Sequence, residues 1–207
     1  VNISQSQTAS DISTTGGTID FEATTGLISM VDGADTNAGS GNIRYTAATT
    51  ITLGSLSTSG NVSLTGTAIT DSGATETDVT ASTLMVRATT VFGAGDNHIE
   101  TTVGTLSATV GSGGLFVTES DGVTIDTVAA VIVNRVKSDG TVTASTVTDA
   151  ALSDLASLAA VVLQTTNGNI TTAAATGDIS AAGNILVKAG ETASATVAGI
   201  TLNASVS

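Results

Sequence analysis

A short strand-like pattern returns about every 23 residues along the chain, and this repeat constrains the fold more than any other sequence feature. The third and fifth positions of each copy are nearly always apolar, as in Gly17–Ala23 (GTIDFEA) and Gly60–Gly66 (GNVSLTG). Such alternation is typical of a strand with one buried face. The copies begin at Val1, Gly17, Gly41, Gly60, Ser82, Gly104, Ala129, Ala159 and Gly183.

Further short apolar runs lie between these starts, for example Leu27–Met30, Ile51–Leu53 and Ile170–Thr172. Each period therefore holds two or three short strands separated by Gly, Asn, Asp or Ser turns, as in one coil of a parallel β-helix. A β-sandwich, the alternative, needs longer strands joined by hairpin turns and does not account for the repeat. The sequence predicts an all-β parallel β-helix (β-solenoid) of about nine coils, with residues 1–207 as a single unit.

The composition fits this prediction. Pro is absent, as expected where nearly every backbone N–H must donate to the neighbouring coil, and aromatic residues make up only 2%, as expected for a narrow interior. Gly followed by Asn favours corners with positive φ, and stacked Asn side chains can form ladders. Such pairs stand at Gly41-Asn42, Gly60-Asn61, Gly168-Asn169 and Gly183-Asn184.

The charge excludes several classes of partner. The chain carries five Lys and Arg residues and a formal net charge of −13, so no cluster of positive charge is available for nucleic-acid phosphates or an anionic membrane surface. No apolar run approaches the ~20 residues that span a bilayer. Without Cys, no disulfide framework exists.

The longest interval between starts runs from Ala129 to Ala159 and predicts an insertion between coils over residues 138–158. Within it, Leu recurs every three residues after Thr148, a residue type that caps helices. A short helix and an extruded turn are both compatible with this pattern. Either would cover one side of the rod, because insertions in solenoids map to loops.

The fourth position of each copy should point outward. Asp20, Arg44, Ser63 and Ser107 suit solvent there, but several other copies carry an apolar residue. Such a stripe indicates a covered surface or lateral contact with another copy. The apolar members are Met85, Ile132, Val162 and Leu186.

The two ends of the chain suggest continuation. Val1 is not an initiator Met, and no signal peptide or capping helix is visible, which favours a segment of a longer chain or one unit of a repeating assembly. Because an open solenoid edge invites stacking, we expect end-to-end contacts with another copy or with adjacent repeats of the same polypeptide. The residues expected to make them are Val1, Asn2, Ile3, Ile200 and Leu202.

Candidate chemistry is sparse. Asp20 and Arg44 predict an ion pair between adjacent coils, with Glu22 on the same outward face. Polysaccharide-cleaving β-helices need clustered acids beside aromatic platforms, whereas Phe21 and Tyr45 occupy inward positions. No catalytic residue is predicted, and an enzyme is not expected.

No cofactor is predicted either. His98, the only His, follows a Gly-rich turn and lacks the partners of a metal set, so an exposed turn residue is expected. Calcium is the alternative at the acidic turns Asp32–Asp35 and Asp121-Gly122, although the tandem calcium repeat and the EF-hand loop are both missing.

The segments Gly177–Ala189 (GDISAAGNILVKA) and Gly60–Gly66 resemble the repeats of filamentous-haemagglutinin-type adhesins and giant repetitive bacterial surface proteins. The resemblance implies a right-handed parallel β-helix, export, and a role in attachment or in an extracellular fibre. The predicted function is thus a structural unit of a bacterial surface fibre, adhesin or matrix filament, with copies of itself and surface glycans as partners. A polysaccharide-binding or polysaccharide-cleaving β-helix is the alternative.

Overall fold

A computed structural model describes residues 1–73, 76–136, 139, 146–192 and 197–207. The described chain is all-β and contains no helix, and its parallel strands stack as a β-solenoid of about eight turns spaced by about 23 residues, which confirms the predicted fold class. The strands are β1 Ile3–Gln5, β2 Ile12–Ser13, β3 Ile19–Ala23, β4 Ile28–Met30, β5 Asp35–Asn37, β6 Ile43–Ala47, β7 Thr50–Leu53, β8 Ser55–Ser57, β9 Asn61–Asp71, β10 Val79–Phe92, β11 Ile99–Val110, β12 Gly114–Glu119, β13 Val123–Ile125, β14 Val131–Asn134, β15 Thr146–Asp149, β16 Leu155–Ser157, β17 Val161–Thr165, β18 Ile170–Thr172, β19 Ile179–Ala181, β20 Ile185–Lys188 and β21 Ile200–Leu202.

Each turn places its apolar residues directly above those of the turn before. The column that begins at Ile3 passes through eight turns in parallel register, and its members between the two ends are buried because side chains of both neighbouring turns cover them. This column consists of Ile3, Ile28, Ile51, Ile69, Phe92, Leu115, Val161 and Ile185.

A second column contains the third residue of each predicted copy that begins between Gly17 and Gly104. These five residues lie in parallel register on one face. These residues are Ile19, Ile43, Val62, Leu84 and Leu106. The copy at Ala129 makes no turn of its own, and those at Ala159 and Gly183 belong instead to the column of Ile3. The solenoid consequently has about eight turns and not nine.

Positive φ, which the sequence suggests as the reason for Gly at the corners, is not the main reason in the structure. Of the four Gly-Asn pairs, only Gly168 has a positive φ, of 156°. At Gly41, a Cβ atom would overlap the carbonyl oxygen of Gly17 in the preceding turn, and at Gly60 it would lie 2.8 Å from the carbonyl oxygen of Gly41. The pairs at Gly41 and Gly60 therefore need Gly because the backbones of successive turns come close together there.

The Asn residues at these corners connect neighbouring turns. The Oδ1 atom of Asn42 accepts the backbone N–H of Asn61 at 2.9 Å, and the Oδ1 atom of Asn61 accepts the hydroxyl of Thr83 at the same distance. Asn169 accepts the N–H of Gly199 in the same manner, at 2.8 Å. Side chains thus add a hydrogen bond between turns where the strands stop.

The interior is not wholly apolar. The rings of Phe21 and Tyr45 stack at 4.9 Å between centroids, in the inward orientation that the sequence predicts. The buried Tyr45 hydroxyl is 2.7 Å from the hydroxyl of Thr36, which donates to the side chain of Gln5 in the preceding turn. These buried hydrogen bonds connect the first two turns inside the rod.

One hairpin leaves the solenoid. β12 and β17 are neighbours in the stack, although they are far apart in the sequence. Their register partners Thr118 and Gln164 are 46 residues apart, which is about two periods. The intervening strands β14 and β15 pair in antiparallel fashion with each other. Of the predicted insertion at 138–158, residues 138 and 140–145 lie outside the described residues; residues 146–149 form a strand and not a helix, and Leu155–Ser157 already belongs to the solenoid.

Candidate functional site

The hairpin β14–β15 covers an outward-facing column on the second face, which we call the outer row. Its side chains come from five successive turns in parallel register: Asp20, Arg44, Ser63, Met85 and Ser107. The sequence places the polar members in solvent, but Arg44, Ser63 and Ser107 are buried. Arg44 and Ser63 both contact Asp149 of the hairpin, whose position sequence periodicity does not indicate.

Arg44 lies at the centre of an ion-pair network beneath the hairpin. Its Nη1 atom is 2.9 Å from Asp20 of the preceding turn and 3.1 Å from Glu22, while Nε is 3.0 Å from Asp149 of β15. The predicted pair between Asp20 and Arg44 is confirmed, and it is buried instead of exposed. Burial by itself lowers the pKa of the Arg44 guanidinium, but hydrogen bonds to Asp20 and Asp149 outweigh that effect and raise it.

Further polar contacts fix the hairpin along this face. Arg135, next to β14, pairs with Asp20 at 2.6 Å and also with Glu22. Ser63 donates to Asp149 at 2.6 Å, and the guanidinium of Arg87 donates to the carbonyl of Ala150 at 2.7 Å. The hairpin is thereby held by side chains from four turns of the solenoid.

A small apolar cluster seals the same contact. Met85 of the outer row is fully buried against Val128 and Val131, with Leu152 packed beside them. Burying one large apolar side chain contributes about 1.5–3 kcal/mol, so this cluster supports docking alongside the ion pairs.

The predicted apolar stripe is divided between separate places. Met85 lies under the hairpin, whereas Ile132 lies on the hairpin itself and is exposed. Val162 and Leu186 are neighbours in register on adjacent turns, and Leu186 is 48% exposed. Ile132 therefore does not stand in successive turns with Val162 and Leu186, because its segment makes no turn of the solenoid.

The residues predicted for end-to-end contact lie at the first and last turns. Ile3 pairs with the next turn on one side through β4, and Val1 and Asn2 are exposed. Ile200 and Leu202 of β21 pair with β18 and are exposed on their other side. The structure thus leaves interior-type side chains uncovered at the last turn.

The acidic turns and His98 lie in different surroundings, and His98 is less exposed than the sequence predicts. Asp32 and Asp121 are exposed, and His98 is half-buried, with Nδ1 2.8 Å from the hydroxyl of Thr118. Within the described part of the chain, the group of acids that could share one metal ion is a different one, formed by Asp71, Asp78 and Glu100. This group is absent from the sites predicted from the sequence, although Asp78 and Glu100 are 22 residues apart, close to one period.

Buried carboxyls predict an unusual pH dependence of stability. Burial raises the pKa of Glu119 to about 7 from a usual value of 4.5, even though the hydroxyl of Thr101 and the N–H of Val103 donate to it. Burial and the neighbouring Asp71 raise the pKa of Asp78 to about 10. A carboxyl with a raised folded-state pKa binds its proton more tightly when folded, so its contribution is greatest at low pH and is lost as pH rises towards that value.

We therefore expect the free energy of unfolding, measured by urea titration in a chelating buffer, to be lower at pH 8 than at pH 5. Glu119 alone accounts for about 2.5 kcal/mol of that difference. A free energy that rises between the two pH values would contradict the prediction.

No helix of the described residues is long and apolar enough to cross a membrane. Comparisons of the chain with protein-family models, with curated proteins and with solved structures found no significant match. The chain is accordingly described by its fold: a parallel β-solenoid, consistent with β-helix repeat proteins in general.

Proposed function

We propose that this chain is a non-enzymatic structural unit of an extracellular bacterial surface fibre, adhesin or matrix filament, in which solenoid turns stack end to end. Its partners in this role are further turns of the same kind, supplied by another copy or by the same polypeptide. The resemblance of Gly177–Ala189 and Gly60–Gly66 to adhesin repeats supports the extracellular assignment.

The observation that carries the proposal is the change in burial along single columns at the last turn. Ile170 is fully buried, but its register partner Ile200 is 43% exposed, and Ile179 is fully buried, while its partner Val206 is 40% exposed. In the preceding turns, Val123 of the first column and Leu155 of the second are buried as well. One further turn would cover them and would pair the free edge of β21, which favours stacking.

The test is whether the purified chain associates through this edge. We expect concentration-dependent assemblies in sedimentation velocity and elongated particles in negative-stain electron microscopy. Replacing Ile200 and Leu202 with Asp should weaken association at least about a hundredfold, because the stacked interface would bury unpaired carboxylates.

Leu158→Asp is the matched control, because Leu158 is a strongly exposed apolar residue on the side wall and the change adds the same type of charge. Leu186→Asp tests lateral association in the same assay. Assemblies that survive the change at Ile200 and Leu202 but disappear with Leu186→Asp would replace stacking with lateral packing. A wild-type chain that stays monomeric at all concentrations would overturn the proposal.

The polysaccharide-binding alternative gains no specific support from the aromatic side chains. Tyr45 and Phe92 are fully buried, Phe21 stacks on Tyr45, and Phe116 is half-buried beside His98. None of these four is a fully exposed ring on which a sugar could stack.

A further inference from the structure

Three carboxyl groups meet at one corner of the solenoid. Asp71 ends β9, Asp78 immediately precedes β10, and Glu100 lies in β11, one turn further along the axis. One oxygen from each of the three lies within 4.8 Å of the others. We call this group the carboxylate corner.

Asp78 is the most buried member of the carboxylate corner. Its side chain is fully buried, and its Oδ2 atom accepts the backbone N–H of Glu100 at 2.8 Å. Its Oδ1 atom is buried without a hydrogen-bond donor, and one oxygen of the same carboxyl belongs to the group shared with Asp71 and Glu100. A buried carboxylate oxygen without a donor costs several kcal/mol unless a positive charge or a shared proton meets it.

Glu100 repeats the pattern, because its Oε2 atom is also buried and also lacks a donor. Burial, followed by the charge of Asp71, raises the pKa of Glu100, and burial raises that of Asp78. None of the ion pairs among the described residues involves Asp71, Asp78 or Glu100; these ion pairs all use Arg44 or Arg135. The protein groups described around the corner therefore leave its negative charge unbalanced.

The spacing suits a single cation. Two oxygens on opposite sides of a calcium ion stand about 4.8 Å apart, since each lies about 2.4 Å from the ion, and all other pairs are closer. The oxygens of the carboxylate corner fall within this limit. Carboxylates from three backbone positions on two turns also fit the adaptable coordination of Ca²⁺ better than the strict octahedron of Mg²⁺.

We propose that Asp71, Asp78 and Glu100 bind one Ca²⁺ ion, which links two adjacent turns of the solenoid at this corner. Asp78 supplies the buried Oδ1 atom, and Asp71 and Glu100 supply oxygens from either side of it. The ion stabilises the folded chain because these ligands come together only when the two turns are stacked.

Isothermal titration calorimetry of the full 207-residue chain with CaCl₂ tests the site, in about 0.15 M salt so that diffuse attraction to the acidic surface is screened. We expect one saturable site per chain. Asp78→Asn should reduce the affinity at least about tenfold, because the ligand charge falls and the buried oxygen is partly replaced by an amide. Glu100→Gln, at a half-buried position, should do the same and serves as a second variant if Asp78→Asn folds poorly.

Asp96→Asn is the matched control, since it removes one charge from an exposed residue that precedes the same strand as Glu100 and should leave the affinity within about twofold. Thermal unfolding with and without calcium gives a second readout: the calcium-induced rise in Tm should be present in wild type and in Asp96→Asn and absent from Asp78→Asn. Wild type without saturable binding up to about 5 mM Ca²⁺ would overturn the proposal in favour of carboxyls that share protons. Unchanged affinity in both Asp78→Asn and Glu100→Gln would overturn it too.

Discussion

Replacing Arg44 with Met is expected to lower the free energy of unfolding by about 3–5 kcal/mol, measured by urea titration at pH 7. Arg44 is buried and is the partner of two carboxylates that are themselves largely covered, Asp20 in the preceding turn and Asp149 in the hairpin. Met fills a similar volume, so the loss reflects less a cavity than the buried Asp149 carboxylate left without its cation and Asp20 left with Arg135 alone.

Arg135→Met is the control, because Arg135 contacts Asp20 and Glu22 but is 38% exposed in its side chain. Asp20 keeps Arg44 in that variant, so we expect a loss below about 1 kcal/mol. Hydrogen exchange locates the effect: amides of the hairpin β14–β15 should lose protection in Arg44→Met and keep it in Arg135→Met. Equal destabilisation by the two variants would show that burial does not set the strength of this network.

The second large effect is expected at Gly41. Gly41→Ala should destabilise the fold by about 3 kcal/mol or more, because the new Cβ atom would overlap the Gly17 carbonyl and would force two turns apart. The same movement would strain the contact between Gly41 and Gly60 in the next turn. Thermal and urea unfolding both measure this loss.

Gly95→Ala provides the comparison. A Cβ atom there meets only the Phe116 ring, at 3.8 Å, and Gly95 is exposed. We expect a change within about 0.5 kcal/mol of wild type. If Gly41→Ala were as mild as Gly95→Ala, close approach of the turns would not be the reason for Gly at these corners.

Periodicity predicts the features that repeat. The alternation at Ile19, Ile43 and Val62 identifies the strands, their inward face and their register, because each turn meets the same packing constraint as the last. It also predicts the pair between Asp20 and Arg44, which depends only on stacking of adjacent copies.

Features that break the repeat are not predictable in this way. Asp149 reaches Arg44 from 105 positions along the chain, so no local pattern connects the two residues. The antiparallel pairing of Val131 with Asp149 likewise has no signal in the sequence, where the Leu spacing after Thr148 is typical of a helix. The carboxylate corner is partly predictable: Asp78 and Glu100 follow the repeat, whereas Asp71 joins them from the end of β9.

The parallel register has a consequence for any assembly built from these turns. The strands of the solenoid itself all run in the same direction around the axis, so the edge of β1 and the edge of β21 are different surfaces. Contact between them is heterologous, which means that each added copy exposes a fresh edge and growth does not close. The resulting filament has a direction, with one growing end unlike the other. Its hairpins would recur about every 38 Å, since eight turns rise about 4.8 Å each, and this spacing would appear as an axial repeat in fibre diffraction.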